Sequence, residues 1–285
     1  MTIYISTGGF NRIPAYKSVK KLINYGAKNI ELSGGTYSSD NIKKLRAYKK
    51  KINFQIHNYF PPPKIPFVLN LASQNSLIAK RSFKHIETSI KKCKQIGSNY
   101  YSFHAGFLCD IKVNELGKKI VKKKLFNRKE SISIFLKRVK KLSILAKKNR
   151  IMLLVENNVL SNNNLKEFKS NPLLMCDPKE TLKIAKQFPL NVKLLIDVAH
   201  LKVSANTLNF NPKDMFNKCE KYIGGYHLSD NDGKSDSNMP FSNNAWFWKH
   251  LNKKINYLSV EVYNLNKKKL LNLKKIVLQK LNKSF

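Results

Sequence analysis

Along the 285-residue chain, short runs of apolar, β-branched and aromatic residues alternate with longer Lys-rich stretches whose apolar positions recur at helical spacing. The short runs predict strands at 2–6, 29–32, 52–57, 99–104, 151–156, 193–197, 222–228 and 257–262. The stretches between them predict helices at about 14–26, 40–50, 76–97, 131–149, 178–188, 211–221, 245–251 and 266–283. Start signals support several: Pro14 and Pro212 stand near a first turn, and Asp177-Pro178 reads as an N-cap followed by a first helical residue. Strict alternation with near-continuous apolar strands predicts a parallel sheet, and eight repeats predict an α/β fold of the (β/α)8 TIM barrel type, a single domain over 1–285. An open doubly wound sheet is the alternative with the same alternation. Two connections, 58–75 with its Pro61-Pro62-Pro63 run and 105–130, exceed ordinary loop length, which marks them as functional segments.

Composition changes this picture less than it first suggests. With 54 Lys+Arg against 17 Asp+Glu the formal net charge is +37, the sign expected of a nucleic-acid binder. Yet only Arg12, Arg46, Arg81, Arg128, Arg138 and Arg150 supply guanidinium groups, the preferred donors for bidentate phosphate and base contacts. Lys, Asn and Ile are abundant in predicted helices and loops alike, a background that an A/T-biased genome produces without any ligand. The Lys runs 49–51, 122–124 and 267–269 read as solvated faces. Cys93, Cys109, Cys176 and Cys219 are far apart in sequence and form no C-x-x-C, so no zinc ribbon or disulfide framework is expected. The opening MTIYISTGGFNRIP lacks the pattern of a secretory signal, and no run of 18 apolar residues occurs. A reduced, cytoplasmic protein without membrane spans is the expectation.

Chemistry gathers at the strand ends. Glu31, His57, His104, Glu156, Asp197, His227 and Glu261 each stand at or near the C-terminal edge of a predicted strand, and in a barrel those edges converge on one face. Glu156, Asp197 and Glu261 each follow a largely apolar run, where a lone anion is costly. A single such carboxylate is readily a hydrogen-bonded core group. Three converging with His227 repel one another, and a divalent cation is the natural way to hold them; this ligand set suits Mn²⁺, Mg²⁺, Co²⁺ or Zn²⁺. His57 and His104, at equivalent ends of neighbouring strands, are suited to a second metal or to substrate hydroxyls, although a lone strand histidine is commonly structural. Glu31 fits either a substrate contact or a loop cap. His200, three residues beyond Asp197, is expected on a loop that points both side chains into one cavity. Asp230, Asp232 and Asp236 add carboxylates after the seventh strand.

In order and spacing, the Glu156 strand end, Asp197-Val198-Ala199-His200, the run from His227-Leu228-Ser229-Asp230-Asn231-Asp232-Gly233 to Asp236, and Val260-Glu261 resemble the xylose isomerase-like superfamily of TIM barrels, also called AP endonuclease family two. The resemblance covers nearly the whole chain. It implies a metal site of Glu156, Asp197, His227 and Glu261, with Glu156 and Glu261 also the acid/base pair and His200 contacting substrate oxygen. Endonuclease IV-like members use further zinc ligands at positions matching His57, His104, His200 and a D-x-H pair. Here Asp236-Ser237-Asn238 puts Asn in place of that His, and Met239-Pro240-Phe241-Ser242 lacks the Gly that usually follows, so a third zinc site is not expected.

The expected function is therefore isomerisation or epimerisation of a sugar, sugar phosphate or sugar derivative, with one divalent cation, a possible second near His57 and His104, and His57, His104 and His200 binding substrate. A DNA-repair nuclease of the endonuclease IV kind is the runner-up, with nucleic acid the less expected partner. A catalytically idle metabolite-binding barrel is the third reading.

Overall fold

The computed structural model describes residues 2–10 and 12–282. Eight parallel strands close into one barrel in chain order: β1 (Thr2–Ser6), β2 (Asn29–Leu32), β3 (Asn53–His57), β4 (Tyr100–His104), β5 (Met152–Glu156), β6 (Val192–Asp197), β7 (Ile223–Leu228) and β8 (Tyr257–Val260). β8 returns to pair with β1, so the closed barrel, and not the open sheet, is the architecture. The expected strands match to within two residues at either end.

Period-two alternation decides what each strand residue does. Ile5, Ile30, Leu32, Phe54, Ile56, Tyr101, Phe103, Leu153, Val155, Leu194, Ile196, Tyr226, Leu228, Leu258 and Val260 all belong to the large buried core that the surrounding helices cover. The intervening residues face the barrel interior. Low in that interior Tyr4, Leu154, Leu195 and Tyr257 form a separate apolar cluster. Above it, at the C-terminal ends, the inward positions are polar: Glu31, His57, Ser102, Glu156, Asp197, His227 and Ser259 are all buried. Between β6 and β7 the register shifts, with Leu194 opposite Ile223 but Leu195 opposite Gly225, so Gly224 is an extra residue in β7. The shift brings Asp197 level with His227.

The helices are α1 (Ala15–Asn24), α2 (Asn41–Arg46), α3 (Ser76–Ile96), α4 (Arg128–Lys148), α5 (Asn162–Phe168), α6 (Pro178–Ala185), α7 (Val198–Leu208), α8 (Lys213–Cys219) and α9 (Lys267–Asn282). Lys283, the last residue expected to be helical, and residues 1 and 285 of the expected domain lie outside the described residues. Asp177 caps α6 as its sequence suggests, accepting from the N–H groups of Lys179 and Glu180.

Three expectations are corrected. The helix at 245–251 is absent: only a 3₁₀ turn, Trp248–His250, forms there. Its aromatic groups pack at separate points, Phe247 edge-on to Phe241 and both Trp246 and His250 against Phe216, and those contacts replace a regular helix. α5 and α7 were not expected. α7 begins directly after β6, so His200 stands in the first turn of a helix and not on a loop.

The two long connections form one unit. The Asn70 carboxamide accepts from the N–H of Ala72 and Phe107 and donates to the carbonyls of Phe107 and Cys109 and to Asp110, tying 58–75 to the start of 105–127. Glu115 then folds the later part of that loop by accepting from the N–H of Lys112 and Val121 and pairing with Lys123.

Candidate metal centre

Glu156 is the hub. Its Oε2 lies 3.5 Å from His57 Nε2 and 3.4 Å from His104 Nδ1, and its Oε1 lies 3.2 Å from His227 Nδ1 and 3.7 Å from His200 Nδ1. Glu261 Oε2 approaches His227 Nδ1 from another side at 2.9 Å, and Asp197 Oδ2 stands 3.9 Å from the same nitrogen. Two sets of donor atoms are close enough to share an ion: His57, Glu156, His227 and Glu261, and also His104, Glu156 and His200. Asp197 lies at the edge of the first set and belongs to neither.

Local structure fixes each side chain. Asp197 is the N-cap of α7, and its Oδ1 accepts the His200 N–H at 2.7 Å. The His200 ring donates from Nδ1 to the Asn157 carbonyl at 2.9 Å, leaving Nε2 facing Asp236 Oδ2 at 3.3 Å. His57 Nδ1 lies 2.9 Å from the Ser102 hydroxyl, which aims Nε2 at Glu156. Gly8 makes room for Glu261: a Cβ there would come within 2.6 Å of its Oε1. Asn238, where the endonuclease pattern has His, is buried and accepts from the Ser229 hydroxyl at 3.3 Å.

The electrostatics are those of anions held by imidazoles. Burial alone would raise the Glu156 carboxyl, but His104, His227 and His57 outweigh it and hold the group well below the usual carboxylate range. Asp197 goes the other way: burial, with repulsion from Glu156, pushes it up to about 7 against the pull of His200 and His227. Burial lowers His104 to about 4, so it is neutral near pH 7. Burial disfavours the charged His227 and His200, yet Glu31, Glu156 and Glu261 around the first and Asp197 and Asp236 around the second raise both well above the ordinary imidazole value.

A cation fits these residues. Both Glu156 oxygens, Asp197 Oδ2 and His227 Nδ1 are buried without a hydrogen-bond partner, although such groups are nearly always satisfied. Glu156 and His227 share one donor set with His57 and Glu261, so a single ion would serve them, with Asp197 Oδ2 at 3.9 Å from the His227 nitrogen beside it. A cleft of about 520 Å³ leads down to this point past His57, His104, His200, Asp236, Glu261 and Tyr263. A groove of about 610 Å³ on the barrel's outside, by Arg128, Glu180 and Phe210, contains none of the ligand-type residues of this centre.

All seven sequence-derived site residues thus meet at one end of the barrel. Sequence reasoning missed Ser102 and Tyr257, which counting back by two from His104 and by four from Glu261 places inward. Asn157, adjacent to Glu156, gave no signal. Glu31 neither caps a loop nor reaches the cleft: its Oε2 accepts from His227 Nε2 at 2.8 Å and from the Tyr257 hydroxyl.

The closed eight-stranded barrel, with carboxylates and imidazoles gathered at the C-terminal ends of its strands in sets that could hold a metal, defines the class as a TIM barrel with its site at that end. The chain belongs to the xylose isomerase-like TIM barrel family, whose model matches residues 19–276. Among solved structures it is similar to a D-tagatose 3-epimerase-like protein, at 20% identity and TM-score 0.73 over 99% of this chain and 97% of that one. It is also similar to D-psicose 3-epimerase from Clostridium cellulolyticum H10 with D-tagatose, at 13% identity and TM-score 0.63 over 99% and 96%. The IOLI protein with a bound zinc atom matches at 14% identity and TM-score 0.67 over 100% and 99%. At these identities the likeness is one of fold. A search of curated protein sequences finds no match. No helix among the described residues is long and apolar enough to cross a membrane.

Proposed function

We propose that the chain is a divalent-metal-dependent isomerase or epimerase acting on a sugar, sugar phosphate or sugar derivative. The observation that carries this reading is the pair Glu156 and Glu261, whose oxygens flank one His227 nitrogen at 3.2 and 2.9 Å at the foot of an open cleft. Glu156, Asp197, His227 and Glu261 would hold the cation. When bound, it would supply Lewis-acid polarisation of a substrate carbonyl, which stabilises negative charge developing on that oxygen. The sugar epimerases among the structural neighbours favour this chemistry on this fold.

Within the site, one glutamate removes the proton on the carbon α to the carbonyl, and the other returns a proton to the enediolate. Glu261 borders the cleft, whereas Glu156 sits deeper, so the two reach a bound sugar from different directions. His104, kept neutral by burial, is suited to a hydrogen bond with a substrate hydroxyl, and His57 and His200 stand beside it on the cleft wall. A second cation, expected near His57 and His104, would instead have His104, Glu156 and His200 as its donor set and would take the place of that contact.

Metal analysis of purified protein, followed by a sugar and sugar-phosphate panel in deuterated water, tests the reading. The expected result is about one tightly held equivalent and deuterium at the carbon α to the carbonyl; conversion of a sugar with neither glutamate needed would refute it. The gathering of His57, His104, His200 and Asp236 about Glu156 favours the nuclease as a second reading. Nicking of abasic DNA in place of sugar turnover would establish it.

A further inference from the structure

If His227 is a metal ligand, something must decide which of its two nitrogens faces the ion. A neutral imidazole ligates through the nitrogen that carries no proton, and the partner of the other nitrogen sets which one that is. Here the partner is Glu31, on the opposite side of the ring from Glu156 and Glu261. We propose that Glu31, steadied by Tyr257, is a positioning residue that fixes His227 as the Nε2–H tautomer and presents Nδ1 as its ligating nitrogen. This rests on the metal-dependent reading above.

The geometry supports a positioning role over a simple ion pair. Glu31 is wholly buried, and exchanging a buried ion pair for apolar groups is often harmless to stability. The layer just below is filled by Leu154 and Leu195, so the interior accommodates apolar side chains. A pair kept for stability alone would satisfy both ends, whereas His227 Nδ1 has no hydrogen bond and Glu31 takes only the Nε2 side. Glu31 is also held from beneath. Tyr257 donates to the same Oε2 and stacks on Tyr4 at 5.4 Å, and the Tyr4 hydroxyl accepts from Gln55 at 3.0 Å. That clamp keeps the carboxylate out of the cleft, where it would compete as a ligand.

The test compares cation affinity with stability. Wild-type protein stripped by chelator is titrated with Zn²⁺ or Mn²⁺ in a calorimeter, beside Glu31→Gln and Glu31→Leu. Gln still accepts from Nε2–H but lacks the charge, so affinity should fall about tenfold, and Leu should lose about 100-fold, the range for groups behind a ligating histidine. Removing one partner of a buried pair should lower the melting point of the metal-free Glu31→Gln protein, so affinity is compared below both melting points; a merely structural Glu31 would lower the melting point and leave affinity intact. Wild-type affinity in Glu31→Gln overturns the proposal. Nitrogen-detected NMR separates this from failure of the metal reading. Should wild type take up no cation, a protected proton on His227 Nε2, lost in Glu31→Leu, still supports the role, and its absence in wild type refutes it. If Glu31→Leu does not fold, the Gln affinity and the wild-type proton decide.

Discussion

Glu156 divides the centre into two unlike halves. On one side His57, His227 and Glu261 are all buried, and Asp197 adds an unsatisfied oxygen. On the other, the side chain of His104 is 22% exposed, and the His200–Asp236 pair lies along the cleft wall. The difference shows how one row of strand ends can serve two purposes. Where anions are dense and buried, mutual repulsion is severe and a cation is the natural relief. Where an imidazole meets solvent, as His104 does, that pressure is weaker and the ring is open to a substrate. On the proposed reading the buried half is the cage and the open half is the substrate wall.

Substitution of the shared residue should break both halves at once. Glu156→Gln keeps shape but removes the base, and turnover should fall on the order of 10²–10⁴-fold, measured as steady-state rate beside bound metal. Glu261→Gln should cost a similar factor in turnover while the open half is untouched. Asp197→Asn acts on the buried half alone: elemental analysis should show most of the single equivalent lost, and full occupancy would remove Asp197 from the ligand set. His104→Ala sharpens the contrast from the other side. It should keep the equivalent and lose about tenfold in turnover, the worth of one substrate hydrogen bond; loss of metal would make the open half a second cage.

The smallest effect is on the roof of the open half. Glu115 is driven down to about 2, because the N–H groups of Lys112 and Val121 and the Lys123 ammonium outweigh the effect of burial. A lowered carboxylate contributes stability above its unfolded value near 4.5 and loses it as pH falls towards about 2. Glu115→Gln should therefore melt slightly lower at pH 7 and equal wild type near pH 2, with metal content unchanged; a difference that persists at pH 2 would assign the effect to packing.

The fold was legible because both faces of each strand are constrained. Helix-facing positions such as Phe54, Val155 and Ile196 are uniformly apolar, so the eight runs stand out against the lysines. The site residues were legible together and not singly: one carboxylate or imidazole ending an apolar run, as in Leu153-Leu154-Val155-Glu156, is readily structural, but several at the converging ends of a barrel are not. Partners of those residues were harder. Tyr257 looks like one more β-strand aromatic, and only the ring of eight reveals that it sits beneath Glu31. α7 escaped notice because Val198–Leu208 contains several buried residues on all sides and so lacks a clean polar face. The segment 245–251 misled for the opposite reason, since its aromatic spacing imitates a helix while each ring is pinned elsewhere.

The register shift at Leu194 and Leu195 has a consequence for how this gene can change. Gly224 is the residue that lets β7 run one position longer than its neighbour requires, and inward-facing positions alternate strictly along a strand. A one-codon deletion there would leave a strand of ordinary length and composition, still apolar and still able to pair. With Leu194 still opposite Ile223 and Leu195 opposite Gly225, it would also leave Asp197 level with His227. Loss of a residue between Gly225 and His227 would instead turn His227 towards the helices and carry Leu228 into the cleft. Selection on the register of Asp197 and His227 would thus fall on the residues after Gly224 and not on Gly224 itself, and descendants of this gene should tolerate a change of length at Gly224 more readily than one between Gly225 and His227.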